Sequence, residues 1–409
     1  MRLILFLLFS YFLYGVDATL EIKKDVDQRA KIVIIDASGQ NQFNRKSFDI
    51  FISDFKISSH FLPSKTYSKE SFLDLFNPKF RSSEYVLKYK ILSQGSKVDL
   101  FIKLFRARDS KKILESAYSI NNPKKFPFLI HKAVIDINKK LGFKPINWLN
   151  RYIVFSKYIG KKESIIALAD YTFTYQKTII KGGLNIFPVW GDKKQNSIIY
   201  TSFNKKIPTL YRLNLKNGKI TKIISSEGML TCSDISRSGR KLLLTMAPNS
   251  QPDIYIYNLD SKKLKRVTKF SGIDVGGKFA DSEKSIVFVS NRLGFANIFK
   301  KSLLDGSVDA LVFHGKNNDA CDAFENKVVY SSKEGAKSFN IYLTTTSAAT
   351  PRPLTSSGIN QFPKFSPDGN TLMYIKRTSK GNFVGYINFT TNSSLLFPIS
   401  LNRIQSIDW

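Results

Sequence analysis

Large apolar side chains recur at an almost constant interval through the second half of the chain. The recurring positions are Trp190, Ile235, Phe279, Ala323, Phe365 and Trp409. Subtracting successive residue numbers gives steps of 45, 44, 44, 42 and 44 residues. A period near 44 residues is typical of a radial array of four-stranded blades.

Each interval contains short segments in which apolar and polar residues alternate. A second set of positions, about 20 residues after the first, comprises Tyr211, Tyr255, Phe299, Tyr342 and Tyr386. Alternation with a period of two predicts strands that bury one face against a core. Ser366-Pro367-Asp368-Gly369 has the residues of a tight turn between two such strands. Each unit therefore predicts four short strands joined by turns.

The number of units follows from the length of the repeating region. Residues 151–409 number 259, and 259 divided by 44 is close to six. Residues 151–155 predict the second strand of a blade that has no first strand before it, and residues 404–409 can supply that strand. Ring closure removes exposed strand edges. We therefore predict a six-bladed β-propeller over residues 149–409, closed by its C-terminal strand, with an unrelated β-sandwich as the alternative.

The first 18 residues differ in composition from the rest of the chain. Arg2 precedes an apolar run from Leu3 to Tyr14, and the small residue Ala18 follows it, which predicts a secretory signal peptide over residues 1–18. This run is shorter than the roughly 20 residues that a membrane helix needs, so an uncleaved anchor is the less favoured alternative. We expect a mature protein that is soluble outside the cytoplasm and not membrane-spanning.

Residues 19–148 mix strand and helix patterns. Ile32–Asp36 predicts a buried strand, while Tyr85–Ile91 and Val98–Leu104 predict a hairpin. Ile130, Val134, Ile137 and Leu141 lie at the spacing of one helix face. Together these patterns predict an N-terminal α/β domain in front of the propeller.

The formal charge of +31 raises the question of a nucleic-acid partner. Residues 1–148 carry 26 basic and 14 acidic side chains, a net charge of +12. Residues 149–409 carry the other 37 basic and 18 acidic side chains, a net charge of +19. The excess is therefore spread over both parts, and no nucleic-acid module accompanies it. We expect no nucleic-acid partner; a general lysine bias, or attraction to anionic lipids or acidic proteins, accounts for the charge better.

The sequence offers little support for catalysis. Its histidines are His60, His131 and His314. Their spacing does not suggest shared metal ligation, and no Gly-x-Ser-x-Gly elbow or phosphate-binding motif occurs. We expect no catalytic residues, no cofactor and no metal, and a surface or capping role for His131. Cation binding by turn residues such as Asp192, Asp281 and Asp368 is the less favoured alternative to ordinary turn roles.

The loops that lead into the innermost strands form one mouth of the central channel. They are residues 183–186, 228–231, 272–275, 317–320 and 358–361. Four of the five contain a glycine followed by an apolar residue, together with Asn or Asp in most of them. A rim of this composition favours docking of a protein loop or peptide.

The order of these features resembles the periplasmic TolB family. The resemblance is carried by Leu20-Glu21-Ile22, His131 with Asp136, the strand at residues 151–155, Ala169-Asp170-Tyr171 and the turn motif at residues 363–369. It spans the whole mature chain. Residues 188–192 keep the turn motif only in part, and the unit at Ala323 lacks it.

The resemblance implies a non-enzymatic, monomeric periplasmic scaffold of the Tol–Pal envelope system, which supports outer-membrane integrity and invagination during cell division. The implied partners are the lipoprotein Pal at the propeller mouth and the inner-membrane protein TolA at the N-terminal part. The implied Pal-facing residues are Asn185, Met229, Leu230, Thr231, Asp274, Val275, Asp319 and Asn360. The implied N-terminal switch segment is Thr19, Leu20, Glu21, Ile22, Lys23 and Lys24. A glycan- or peptidoglycan-binding propeller and a propeller hydrolase remain the alternatives.

Overall fold

The computed structural model describes residues 29–315, 317–335, 338–399 and 404–409. The predicted signal peptide and the segment Thr19–Lys24 lie outside these residues.

The first part of the described chain contains one sheet and two long helices. Its elements are β1 (Ala30–Asp36), α1 (Asn44–Ile57), β2 (Phe61–Pro63), β3 (Ser68–Lys69), β4 (Tyr85–Gln94), β5 (Lys97–Arg106), β6 (Lys111–Ile120) and α2 (Phe126–Lys140). The sheet order is β2-β1-β4-β5-β6, with β3 beside β1. Strands β1 and β4 are parallel, whereas β4, β5 and β6 are antiparallel. The predicted α/β character is confirmed, and the predicted hairpin is β4–β5.

Both helices bury one apolar face. Ile130 and Val134 of α2 are fully buried, and Gly142 just beyond the helix adopts a φ of +74°. Phe48, Phe51 and Phe55 of α1 are also buried, at the steps of three and four that place them on one side of a helix. The sequence interpretation did not include α1.

The remainder of the described chain consists almost entirely of short antiparallel strands. They are β7 (Ile153–Gly160), β8 (Glu163–Ala169), β9 (Gln176–Ile180), β10 (Asn185–Trp190), β11 (Ser197–Ser202), β12 (Thr209–Asn214), β13 (Ile220–Ser225), β14 (Leu230–Ile235), β15 (Lys241–Met246), β16 (Asp253–Asn258), β17 (Leu264–Arg266), β18 (Asp274–Ala280), β19 (Ser285–Ser290), β20 (Asn297–Ser302), β21 (Val308–Ala310), β22 (Asn318–Phe324), β23 (Lys327–Gly335), β24 (Ser338–Thr345), β25 (Arg352–Pro353), β26 (Ile359–Phe365), β27 (Thr371–Thr378), β28 (Gly381–Asn388), β29 (Ser394–Ile399) and β30 (Ile404–Asp408).

These strands form successive sheets of a propeller. Three sheets follow the chain in groups of four, namely β10–β13, β14–β17 and β18–β21. An eight-stranded sheet contains β22–β29, and its two halves meet at the parallel pair Phe339 and Ile359. The last sheet has the order β30-β7-β8-β9, with Ile407 opposite Phe155.

Charged side chains at one repeated position contact neighbouring sheets. This position lies one residue before each recurring apolar position and is occupied by Val189, Asp234, Lys278, Asp322, Lys364 and Asp408. The three aspartates accept hydrogen bonds from the backbone N–H groups of Phe279, Phe365 and Trp190, at 2.8, 2.9 and 3.0 Å. Lys278 lies 3.5 Å from Asp322, and Lys364 lies 3.4 Å from Asp408. The near-constant period thus places complementary groups on successive strands.

Candidate protein-binding site

The strand directions define the end of the propeller that carries the predicted mouth loops. In the sheet that begins with β10, Asn185 pairs with Ser202, and Ser202 pairs with Thr209. The loops at 181–184 and 203–208 therefore lie at the same end. We call this end the entry face; it comprises the loops that precede the innermost strands and the turns between the second and third strands.

A backbone hydrogen bond repeats on the entry face and holds one apolar residue in each of three loops. The N–H group just beyond the second strand donates to the carbonyl of the loop residue, in the pairs Phe203 to Leu184 at 2.8 Å, Ala247 to Met229 at 2.9 Å and Asn291 to Ile273 at 3.2 Å. With their backbone fixed in this way, Met229 is 40% exposed and Ile273 is 46% exposed. We call Leu184, Met229 and Ile273, together with the 80% exposed Phe313, the entry rim.

Glycine before the rim residue is required by the close approach of the loop to the second strand. Gly228 has a φ of +73°, and a Cβ at this position would lie 2.3 Å from the carbonyl oxygen of Ala247. Only glycine takes this backbone conformation without strain and leaves the necessary space. The glycine before Met229 therefore allows the loop to lie close to the second strand.

Polar residues at the start of the innermost strands complete the loops. The Asn185 side-chain amide donates to the carbonyl of Gly182 at 2.8 Å, and Asn360 donates to Ser357 at 3.0 Å. Asp274 instead binds the Arg292 guanidinium through both carboxylate oxygens, at 2.8 and 3.0 Å. These bonds restrict the motion of the loops that carry the rim.

The residues implied by the family resemblance divide into two groups on this face. Met229 is exposed, while Val275 and Asp319 are half-buried. Asn185, Leu230, Thr231, Asp274 and Asn360 are buried. In this conformation Met229, Val275 and Asp319 offer surface to solvent, whereas the buried group is enclosed within the protein.

Asp319 is the ionisable member of the surface-offering group. Burial raises the pKa of its carboxyl to about 6. Within the described chain its Oδ1 atom has no hydrogen-bond partner.

Leu184, Ile273 and Phe313 were not among the predicted contact residues. The signal for Leu184 and Ile273 was present, because each follows a glycine as Met229 does. Phe313 follows no such pair, and its exposure comes from the conformation of the loop before β22.

His131 lies in a second candidate site, where the α/β region meets the propeller, and the predicted surface or capping role is wrong. Its side chain is fully buried between two carboxylates. Nδ1 lies 2.9 Å from Asp54 Oδ2 on α1, and Nε2 lies 3.4 Å from Asp170 Oδ2 in the loop after β8. The Tyr171 hydroxyl donates to Asp54. We call Asp54, His131, Asp170 and Tyr171 the domain joint.

Further hydrogen bonds fix the propeller side of the joint. The Asp170 carboxylate accepts from the backbone N–H of Thr172 at 2.9 Å and from that of Tyr175 at 2.6 Å. The Tyr386 hydroxyl donates to the carbonyl of Tyr171 at 2.7 Å. The joint therefore connects both helices of the α/β region to sheets near the two ends of the propeller sequence.

The charge state of the joint follows from its geometry. Burial alone would lower the pKa of His131, but the negative charge of Asp54 and hydrogen bonds to Asp170 and Asp54 raise it to about 9. The raised pKa favours the imidazolium form of His131 at neutral pH, while burial also raises the pKa of its partner Asp54. Such an arrangement is costly to break because removing one partner leaves uncompensated buried charge.

Across the described ranges, no group of three or more His, Cys, Asp or Glu residues is arranged to hold a metal ion. The carboxylates of Asp192 and Asp368 accept backbone N–H bonds within their own turns. No helix in the described part of the chain is both long and apolar enough to cross a lipid bilayer.

An α/β region packed against a β-propeller defines the architectural class of this chain, and comparisons with known proteins identify its family. The model of the TolB beta propeller domain matches residues 150–409. The chain belongs to the TolB family, which forms a non-enzymatic part of the Tol–Pal system.

Relatives and a solved structure cover nearly the whole chain. The Tol-Pal system protein TolB of Helicobacter hepaticus is 39% identical over 412 residues, which is 98% of each chain. That of Wolinella succinogenes is 39% identical over 423 residues and 100% of each chain. The crystal structure of TolB from Acinetobacter baumannii superposes with a TM-score of 0.77 at 20% identity, over 94% of this chain and 97% of that one.

Proposed function

We propose that this chain is a monomeric periplasmic scaffold whose entry face receives the lipoprotein Pal, and that it thereby supports outer-membrane integrity and invagination during cell division. The observation that carries the proposal is the entry rim, because Met229, Ile273 and Phe313 are exposed there and the loops of Met229 and Ile273 are held by the repeated hydrogen bond. Exposed apolar groups on a pre-organised surface favour binding of a partner with little ordering cost.

The architecture behind this proposal is a six-bladed ring. We infer that β30 is the innermost strand of the first blade, since it pairs with β7 and since Asp408 bonds to Trp190 of the next sheet. We further infer a signal peptide at residues 1–18, an α/β domain at 19–148 and the propeller at 149–409. Two halves of the eight-stranded sheet then count as two blades.

The N-terminal segment Thr19–Lys24 is proposed as a switch that contacts an inner-membrane partner like TolA. A segment exposed by signal cleavage has a free end, which allows it to order or to release. Removing these six residues is expected to abolish capture of the inner-membrane partner and to leave capture of the lipoprotein in place. Loss of both captures, or of neither, would contradict this assignment.

The test of the main proposal is a pull-down of Pal from detergent-solubilised outer membranes of the same cells. Met229→Glu and Ile273→Glu place charge in the entry rim and are expected to abolish capture. Ile220→Glu is the matched control, because Ile220 is 51% exposed at the opposite end of the propeller. Capture that survives both rim substitutions contradicts the proposal, and loss of peptidoglycan binding instead would indicate a glycan-binding propeller.

A further inference from the structure

Three neighbouring segments of the entry face carry an excess of positive charge. The turn between β7 and β8, the loop before β10 and the turn between β11 and β12 carry the exposed lysines Lys161, Lys162, Lys181, Lys205 and Lys206. The same segments, residues 159–163, 181–184 and 203–208, contain one acidic residue, Glu163. Five positive charges and one negative charge give a formal net charge of +4. We call these three segments the basic sector.

The three segments form one continuous surface. Ser164, just after the first turn, donates its backbone N–H to the carbonyl of Gly183 at 3.0 Å. Asn204 accepts the N–H of Leu184 at 2.7 Å and donates to the carbonyl of Gly182 at 3.3 Å. The lysines are thus carried on loops that are bonded to each other and to the entry rim.

The corresponding loops of the sheets β14–β17 and β18–β21 are closer to neutral. Residues 226–229 carry one acidic side chain, and residues 247–252 carry no charged side chain. Residues 267–273 and 291–296 carry one basic side chain each, and that of Arg292 is paired with Asp274. The positive charge is therefore higher in the basic sector than in these loops, and the end of β27 and the turn to β28 add Lys376, Arg377 and Lys380 to the entry face.

Exposed apolar side chains lie among the lysines of the sector. Ile159 is 51% exposed at the end of β7, and Ile207 is 41% exposed in the turn before β12. Leu184 of the entry rim belongs to the middle segment. A surface that combines apolar groups with unbalanced positive charge complements a partner that combines apolar groups with carboxylates.

We propose that the basic sector binds an acidic segment of the same lipoprotein that the entry rim receives. This inference rests on the proposed function and adds the charge of the partner and the side of the mouth that it covers. The supporting observations are the net charge of the sector and its continuity with the rim. Charge pairs at the edge of an interface mainly accelerate and orient association, so the binding rate falls as salt is added.

The test compares two triple variants for binding to the purified soluble domain of Pal from the same organism. One variant is Lys161→Glu/Lys181→Glu/Lys205→Glu in the sector. The control, Lys216→Glu/Lys219→Glu/Lys263→Glu, makes the same change in net charge at exposed turns of the opposite end. The sector variant is expected to bind at least about tenfold more weakly, with a flatter salt dependence, and the control to change by less than about twofold.

The remaining outcomes separate the two proposals. If the sector variant binds as tightly as the unmodified chain while Met229→Glu abolishes binding, the charge inference is wrong and the proposed function stands. If the unmodified chain does not bind the Pal domain, both fail. If the sector variant loses only its binding to vesicles of phosphatidylethanolamine and phosphatidylglycerol, the sector contacts lipid and the inference is overturned.

Discussion

The entry face and the domain joint place their side chains in opposite environments: one exposes apolar groups to water, and the other buries charged groups. The entry face leaves apolar side chains in water and fixes their backbone with repeated hydrogen bonds, so that a partner can bury them. The joint removes an imidazolium and two carboxylates from water and satisfies them with one another. The first arrangement adds little stability and serves recognition, whereas the second fixes how the α/β region sits on the propeller.

The largest expected effect comes from deleting residues 404–409, which contain the strand that pairs with β7. Ile404, Ile407 and Trp409 are buried, and Trp409 packs on Trp148 with ring centroids 5.0 Å apart. Burial of three such side chains stabilises by more than about 5 kcal/mol. The truncated chain is expected to melt at a much lower temperature by circular dichroism. Ser406→Ala is the control within the strand, and a truncated chain as stable as this control would contradict ring closure.

A smaller but still large loss is expected from His131→Leu in the joint. This change leaves Asp54 and Asp170 buried without their cation, which costs about 3–5 kcal/mol. Urea unfolding measures the difference, and Lys139→Leu on the exposed side of α2 is the matched control. A loss below about 1 kcal/mol would contradict the buried ion pairing of His131 with the two carboxylates.

The joint also predicts the direction of a pH dependence. The pKa of His131 is raised from the ordinary value of 6.5 to about 9 in the folded chain. The resulting stabilisation is complete below pH 6.5 and is lost as pH rises through 9, in total roughly 3 kcal/mol. Urea midpoints at pH 6 and pH 9.5 measure this loss. His131→Leu is expected to lack this loss, and an identical decline in the variant would assign it to other groups.

On the entry face, Gly228→Ala is expected to cost about 1–3 kcal/mol. The added Cβ meets both an unfavourable φ and the Ala247 carbonyl oxygen. Gly218→Ala provides the control, since Gly218 has a similar φ of +71° but no atom within 4 Å of the added Cβ. Thermal melting of the two variants separates strain from steric contact. Equal losses of stability in the two variants would show that the contact between the added Cβ and the Ala247 carbonyl oxygen costs nothing beyond the unfavourable φ.

The sequence predicts the two regions to different extents because their patterns differ. The entry face belongs to a repeat, so a period near 44 residues located its strands and loops, and the glycine–apolar pairs marked the rim. Which side of each loop faces water depends on hydrogen bonds to the second strand, so Ile273 was missed and Leu230 was included. The joint has no repeat: Asp54, His131 and Asp170 are 77 and 39 residues apart. Only the packing of α1 and α2 on the propeller brings them together, and α1 itself was not predicted.

Hydrogen–deuterium exchange of the unmodified chain, alone and saturated with the soluble domain of Pal, tests the central claim most directly. If Pal binds the entry face, amide hydrogens exchange more slowly in the complex in the loops at residues 181–184, 226–229 and 267–273. The turns at 191–196 and 236–240, at the opposite end, are expected to change little. Protection confined to those opposite turns, or to the α/β region, would contradict the account.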